Sequence, residues 1–96
     1  MENGKVIESL LKEYGKTRYT RETDALAREM LDFLALCIST DTSDGGAIIR
    51  ALYIEGKSYR AVARSMFLSR GAVEYNKKKA IRKYAERFEK RFKNGQ

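Results

Sequence analysis

Apolar residues recur along this chain at the spacing of helices, with no stretch of strand-like alternation. Val6, Ile7, Leu10, Leu11 and Tyr14 fall at steps of one, three, one and three, which marks one face of a short amphipathic helix ending near Gly15. Thr20 or Thr23 is placed to cap a second helix. Its apolar positions are Leu26, Met30, Phe33, Leu34, Cys37 and Ile38, and it is the expected backbone of the core. From Ser39 to Gly46 the chain is rich in cap and turn residues and has no period, so a loop is expected there. It leads into a third helix from Ala47 to Glu55 that Gly56 closes. The sequence contains no proline, which suits uninterrupted helices.

The pattern tightens after Gly56. Ser58 is an N-cap candidate for a helix over Tyr59 to Met66, with Val62, Ala63 and Met66 facing inward. Two turns have little stability alone, so this helix must pack on neighbours, and Ala63 is small where two helices cross closely. Phe67 and Leu68 interrupt it. Ser69 then supplies a second N-cap, and Val73, Ala80, Ile81 and Tyr84 form the next inward stripe. A short helix, a tight turn and a capped second helix predict a helix-turn-helix, whose second helix enters the DNA major groove N-terminal end first.

Beyond Tyr84 the apolar edge continues through Ala85, Phe88 and Phe92, longer than that motif requires. Two covers fit this edge: a fold-back onto the N-terminal helix bearing Leu10, Leu11 and Tyr14, or a dimer seam. The fold-back is preferred because the N-terminal helix offers an apolar face of matching length. The expected architecture is therefore all-α, a bundle of about five helices in one domain, 1–96. Residues 1–55 support, 56–84 form the helix-turn-helix and 85–96 extend the last helix, in a monomer or a homodimer.

Composition narrows the function. The 96 residues contain one cysteine, Cys37 in an apolar run, and no histidine, so neither a disulfide framework nor an ordinary zinc site can be assembled. No apolar run approaches the roughly 18 to 20 residues needed to span a bilayer. The N-terminal stretch lacks a signal-peptide layout. A cytoplasmic protein without a membrane partner is expected. There is no phosphate-binding glycine loop and no acidic pair among hydrophobic residues with a base nearby, so no enzyme activity and no cofactor are expected.

The net charge of +7 is unevenly spread. Residues 1–55 hold seven Lys/Arg against ten Asp/Glu, net −3, whereas residues 56–96 hold thirteen against three, net +10. Such asymmetry points to a polyanion partner.

The residues carrying this charge also carry a resemblance. Gly56-Lys57-Ser58-Tyr59, Val62-Ala63, Leu68-Ser69-Arg70, Val73 and Lys78-Lys79-Ala80-Ile81-Arg82-Lys83 stand in the ungapped order of the fourth conserved region of bacterial sigma-seventy-type factors. Residues 56–84 resemble that region. They are also similar to short phage and integrated-element transcription regulators described as ArpU-like or RinA-like. The resemblance implies a double-stranded DNA-binding transcription regulator, of a kind found in phage or mobile-element late-gene control, with RNA polymerase as a candidate second partner. Three positions depart from the family pattern: Phe67 where the turn usually has glycine, Asn76 where the family tends to be apolar, and Gly71 in place of a larger polar residue.

At 100° per residue, Arg70, Gly71, Glu74, Tyr75 and Lys78 lie opposite or beside the Val73 stripe. By resemblance, Arg70, Gly71, Glu74 and Tyr75 fall where sigma-like factors read base edges or backbone, on the helix starting at Ser69. Arg70 can bond guanine bidentately and Glu74 can accept from cytosine N4. Glu74 can equally pair with Lys78 at i, i+4. Tyr75 can meet a thymine methyl or a phosphate. Lys77, Lys78, Lys79, Arg82 and Lys83 cannot all face one way, and they read as phosphate contacts and solvated charge. Two other functions fit a small basic helical protein: a DNA-recognition subunit of a viral packaging machine, and a protein-interaction module that docks its basic helix on an acidic partner.

Overall fold

The computed structural model describes residues 2–16 and 25–93, and within them all regular structure is helical. Five helices follow in order: α1 Glu2–Lys16, α2 Ala25–Ser39, α3 Asp44–Ile49, α4 Tyr59–Met66 and α5 Arg70–Phe88. Helix α3 continues as a π-helical turn, Arg50–Ile54, and α5 as another, Glu89–Lys93. The expected caps at Thr20 and Thr23 lie outside the described residues, as do the side chains of Tyr14 and Leu26.

Helix α5 is the strut against which α1, α2, α3 and α4 all pack. Its buried line is Val73, Lys77, Ala80, Ile81, Tyr84, Ala85 and Phe88. That line serves two apolar clusters. The larger joins Ile7 and Leu11 of α1, Leu34, Cys37 and Ile38 of α2 and Ile49 of α3 to Ala80, Ile81, Tyr84, Ala85 and Phe88. The smaller joins Ile48 of α3, Val62 of α4 and Val73 of α5, with Tyr59, Ala63, Met66 and Leu68 at its edge. The long C-terminal edge is covered within the chain. Phe88 is buried, and its ring meets Phe33 of α2 edge-on at 5.2 Å, with Phe92 also edge-on to Phe33 at 5.7 Å. Ile7 and Leu11 of α1 belong to the same cluster, so the fold-back takes in α2 as well as α1.

The third helix begins earlier than its sequence suggests. Ser43, expected in a loop running to Gly46, is its N-cap, with Oγ accepting from the Gly46 amide at 3.3 Å. Gly45 and Gly46 sit inside the helix, where glycine is locally unfavourable, because backbone is packed against them. A Cβ on Gly45 would stand 2.9 Å from both Ala80 Cβ and the Asn76 carbonyl oxygen, and one on Gly46 would stand 2.5 Å from the Asp41 carbonyl oxygen. Gly45 lets α3 cross α5 at close range, and Gly46 lets the Asp41 turn pack against the start of α3. At the other end, Gly56 takes φ +70° and ends the element.

Between α2 and α3, Asp41 is buried and fully engaged. Its Oδ2 accepts from the Tyr84 hydroxyl at 2.7 Å, and its Oδ1 accepts from the Ser43 amide and hydroxyl at 2.9 and 2.6 Å. Lys83 stands 3.5 Å away. Arg50 Nη1 donates to the carbonyls of Ile38 and Asp41 at 2.8 and 3.1 Å, closing the loop from the other side. Burial alone would raise the Asp41 pKa, but the bonds from Ser43 and Tyr84 and the charge of Lys83 outweigh it and bring the carboxyl down to about 2. Burial and the adjoining carboxylate push the Tyr84 phenol up.

Candidate nucleic-acid interface

Helix α4 spans the residues its pattern predicts, and its start is the expected one: Ser58 Oγ accepts from the Ala61 amide at 3.1 Å. Its end is set by backbone bonds. Leu68 N–H donates to the Ala63 carbonyl at 2.9 Å and Phe67 N–H to that of Arg64 at 3.3 Å, the paired bonds of a Schellman ending. This ending requires a left-handed residue at Phe67, which has φ 58° and ψ 43°. Leu68 and Ala63 both pack against the small cluster. The Phe67 ring itself is 95% exposed. Ser69 then caps α5, its Oγ accepting from the Ala72 amide at 3.0 Å. Two residues thus separate α4 from the second cap.

On α5 the sequence candidates resolve into three lines. Gly71, Tyr75, Lys78 and Arg82 follow one another at steps of four, three and four, and all four are exposed. This is the outward line. Tyr75 is 64% exposed, and a Cβ on Gly71 would approach nothing but Ser69 Oγ, at 4.0 Å. No contact within the protein therefore requires glycine at this position. Lys78 and Arg82 line a groove toward α1 with Lys5, Glu8 and Glu86.

The second line is Lys79 and Lys83, turned toward the α3 end of the molecule, where they line a groove with Ser43, Asp44 and Asn76. Arg82 borders both grooves. Lys83 is drawn to Asp41, and Asn76 turns its side-chain amide onto the Ala72 carbonyl at 2.8 Å, satisfying itself on its own helix.

The third line is the flank beside α4, where Arg70 and Glu74 gather with Lys77 around Tyr59. The Arg70 guanidinium carbon is 5.3 Å from the Tyr59 ring centroid, within the range of a cation–π contact. Lys77 Nζ donates to the Tyr59 hydroxyl at 2.6 Å. That ammonium is also 5.3 Å from the ring centroid, so it lies out beyond the oxygen, at the ring's edge and not above its face. Glu74 carboxylate oxygens stand 3.8 Å from Lys77 Nζ and 3.6 Å from Lys78 Nζ. The neighbouring Tyr59 hydroxyl and these two ammonium groups hold the Glu74 carboxyl below its ordinary pKa despite partial burial.

Lys77 is the one predicted contact whose ammonium does not face solvent. It is 8% exposed and lies on the buried line between Val73 and Ala80. Burial works against its charge, yet the Tyr59 oxygen, nearby Tyr53 and Glu74 more than compensate, and its pKa stands above the ordinary lysine value. Sequence reasoning took it for part of the basic surface run. It missed Tyr59 altogether as an organising residue, and it read Asp41 only as a turn former.

No protein-family model, curated protein or solved structure matches this chain, so its function is read from its own residues. Among the described residues, no helix is long and apolar enough to cross a membrane.

Proposed function

We propose that the protein is a sequence-specific double-stranded DNA-binding transcription regulator that lays the N-terminal half of α5 in the major groove, with α4 and α5 acting as a helix-turn-helix. One observation carries this reading. The line Gly71, Tyr75, Lys78 and Arg82 is exposed along its whole length, on the side of α5 away from Val73 and Ala80, immediately after a capped and tightly turned α4. Gly71 allows close backbone approach, Tyr75 offers an aromatic face and a donor, and the two cations below them suit phosphates. The concentration of positive charge in residues 56–96 supports the same reading.

The test is an anisotropy titration of the protein against duplexes recovered by selection from a random pool. Lys78, Lys79 and Arg82 are exposed cations on α5. If all three neutralise phosphates, log K should fall against log salt with a slope of about −2.5 to −3. Lys78→Ala or Arg82→Ala should weaken selected and unselected duplexes alike. Affinity that does not depend on salt, or a selection that recovers no common sequence, would refute the proposal.

A further inference from the structure

Tyr59 lies on α4, yet three charged residues of α5 are disposed around it. Arg70 lies within cation–π distance of the ring, at 5.3 Å, and Lys77 holds the hydroxyl at 2.6 Å. Glu74 is drawn to the same Lys77 at 3.8 Å and to Lys78 at 3.6 Å. The ring is itself fixed, because it packs at the edge of the Ile48, Val62 and Val73 cluster. A long arginine side chain on a helix surface ordinarily samples many rotamers, and ordering it opposes binding. An aromatic ring against its guanidinium removes part of that freedom before any ligand arrives. The two long side chains at the start of the flank line are therefore treated oppositely: Arg70 is steadied with its donors unpaired by any carboxylate among the described residues, whereas Glu74 has its carboxylate between two ammonium groups.

We infer that Tyr59 is the positioning residue that makes Arg70, and not Glu74, the base reader of α5, so that the bound sequence contains a guanine read by the Arg70 guanidinium. This rests on the DNA-binding reading above. Guanine follows from the chemistry: a planar fork of N–H donors matches the two acceptors, O6 and N7, that guanine presents in the major groove. Cytosine recognition by Glu74 would require its oxygens to leave Lys77 and Lys78. In base recognition Tyr59 acts through Arg70, and it need not touch the DNA.

The experiment compares a selected duplex with the same duplex carrying adenine in place of the guanine, and the readout is the ratio of the two affinities. In the wild type the ratio should favour guanine, and Arg70→Ala should abolish the preference. Tyr59→Leu, which keeps apolar bulk and removes the ring, should lower the ratio about two- to fivefold, the range of an exposed cation–π contact. Tyr59→Phe keeps the ring face and should restore most of the ratio. In the Arg70→Ala background, Tyr59→Leu should change the ratio no further, which a merely structural role for Tyr59 would not produce.

A second measurement uses the wild type alone. The Arg70 side-chain methylene protons should be shifted upfield by the Tyr59 ring current, and unshifted protons would overturn the contact. Equal discrimination by wild type and Tyr59→Leu would overturn the inference while leaving the DNA-binding reading intact. So would an additive effect of the two substitutions. A wild type that prefers no duplex would remove both.

Discussion

Phe67→Gly tests the turn between α4 and α5 from its energetics. Phe67 holds φ 58° and ψ 43°, a left-handed conformation that brings the Cβ of an L-residue too close to the following carbonyl oxygen and costs about 1 to 2 kcal/mol. The ring returns little of this, because it is 95% exposed. Glycine relieves the strain and loses almost no burial, but its unfolded chain is more mobile, which takes back about 0.5 to 1 kcal/mol. The balance is a stabilisation of about 0.5 to 1 kcal/mol, or a rise in melting temperature of a few degrees, at about 4 to 8 °C per kcal/mol for a domain of this size. Thermal and urea melts followed by far-ultraviolet circular dichroism would measure it, with an unchanged urea slope showing that only stability moved. A variant less stable than the wild type would refute the reasoning, since it would mean that the ring has a stabilising partner or that the turn is not left-handed.

Other substitutions separate folding from binding. Gly71→Ala should raise the melting temperature, because alanine is favoured over glycine in a helix by up to about 1 kcal/mol and nothing obstructs the new methyl, yet it should weaken duplex binding if backbone approach matters. Asp41 should make stability fall in acid. Its folded pKa of about 2 lies below the ordinary 3.8, so its contribution of about 2 kcal/mol is complete above pH 3.8 and is lost as the pH drops toward 2. Asp41→Asn should flatten that part of a stability–pH curve. Gly45→Ala should destabilise by about 1 to 3 kcal/mol through overpacking against Ala80 and the Asn76 carbonyl, and a neutral melt would show that α3 and α5 are not in close contact there.

What could be read from the sequence was what is decided locally. The caps at Ser58 and Ser69 act on amides three residues ahead, and the bounds of α4 follow from them and from the apolar period. At Phe67 the sequence marked only a departure from a turn that usually has glycine, and the left-handed conformation is read from the structure. Gly45 and Gly46 misled for the opposite reason. Their local preference is for a loop, and only close packing, of Gly45 against α5 and of Gly46 against Asp41, explains them inside a helix. Lys77 carried a signal that its charge concealed: it falls four residues after Val73 and three before Ala80, on the inward line, and only Tyr59 on the preceding helix makes that position habitable for an ammonium. Asp41 had no local mark to distinguish it from Asp44. Its decisive partner, Tyr84, lies 43 residues away.

These long-range ties bear on how the candidate reader is held. The aliphatic contacts seating α4 are few, with Ile48, Val62 and Val73 the fully buried members of their cluster. Val62 is the one fully buried side chain that α4 itself supplies, and a helix of two turns has little stability alone, so α4 depends on its neighbours. Its seat depends on Ile48, hence on α3. Helix α3 depends in turn on the glycine crossing with α5 and on the Asp41–Tyr84 bond at its N-terminal end. A side chain such as Arg70 can be held in one place only if Tyr59 is, and Tyr59 inherits its position from this sequence of contacts. The support runs from α5 through Tyr84 and Asp41 to α3, through Ile48 to α4, and back onto α5 at Arg70. Under the proposed reading, residues remote from any DNA surface would bear on recognition by fixing the angle at which α4 meets α5.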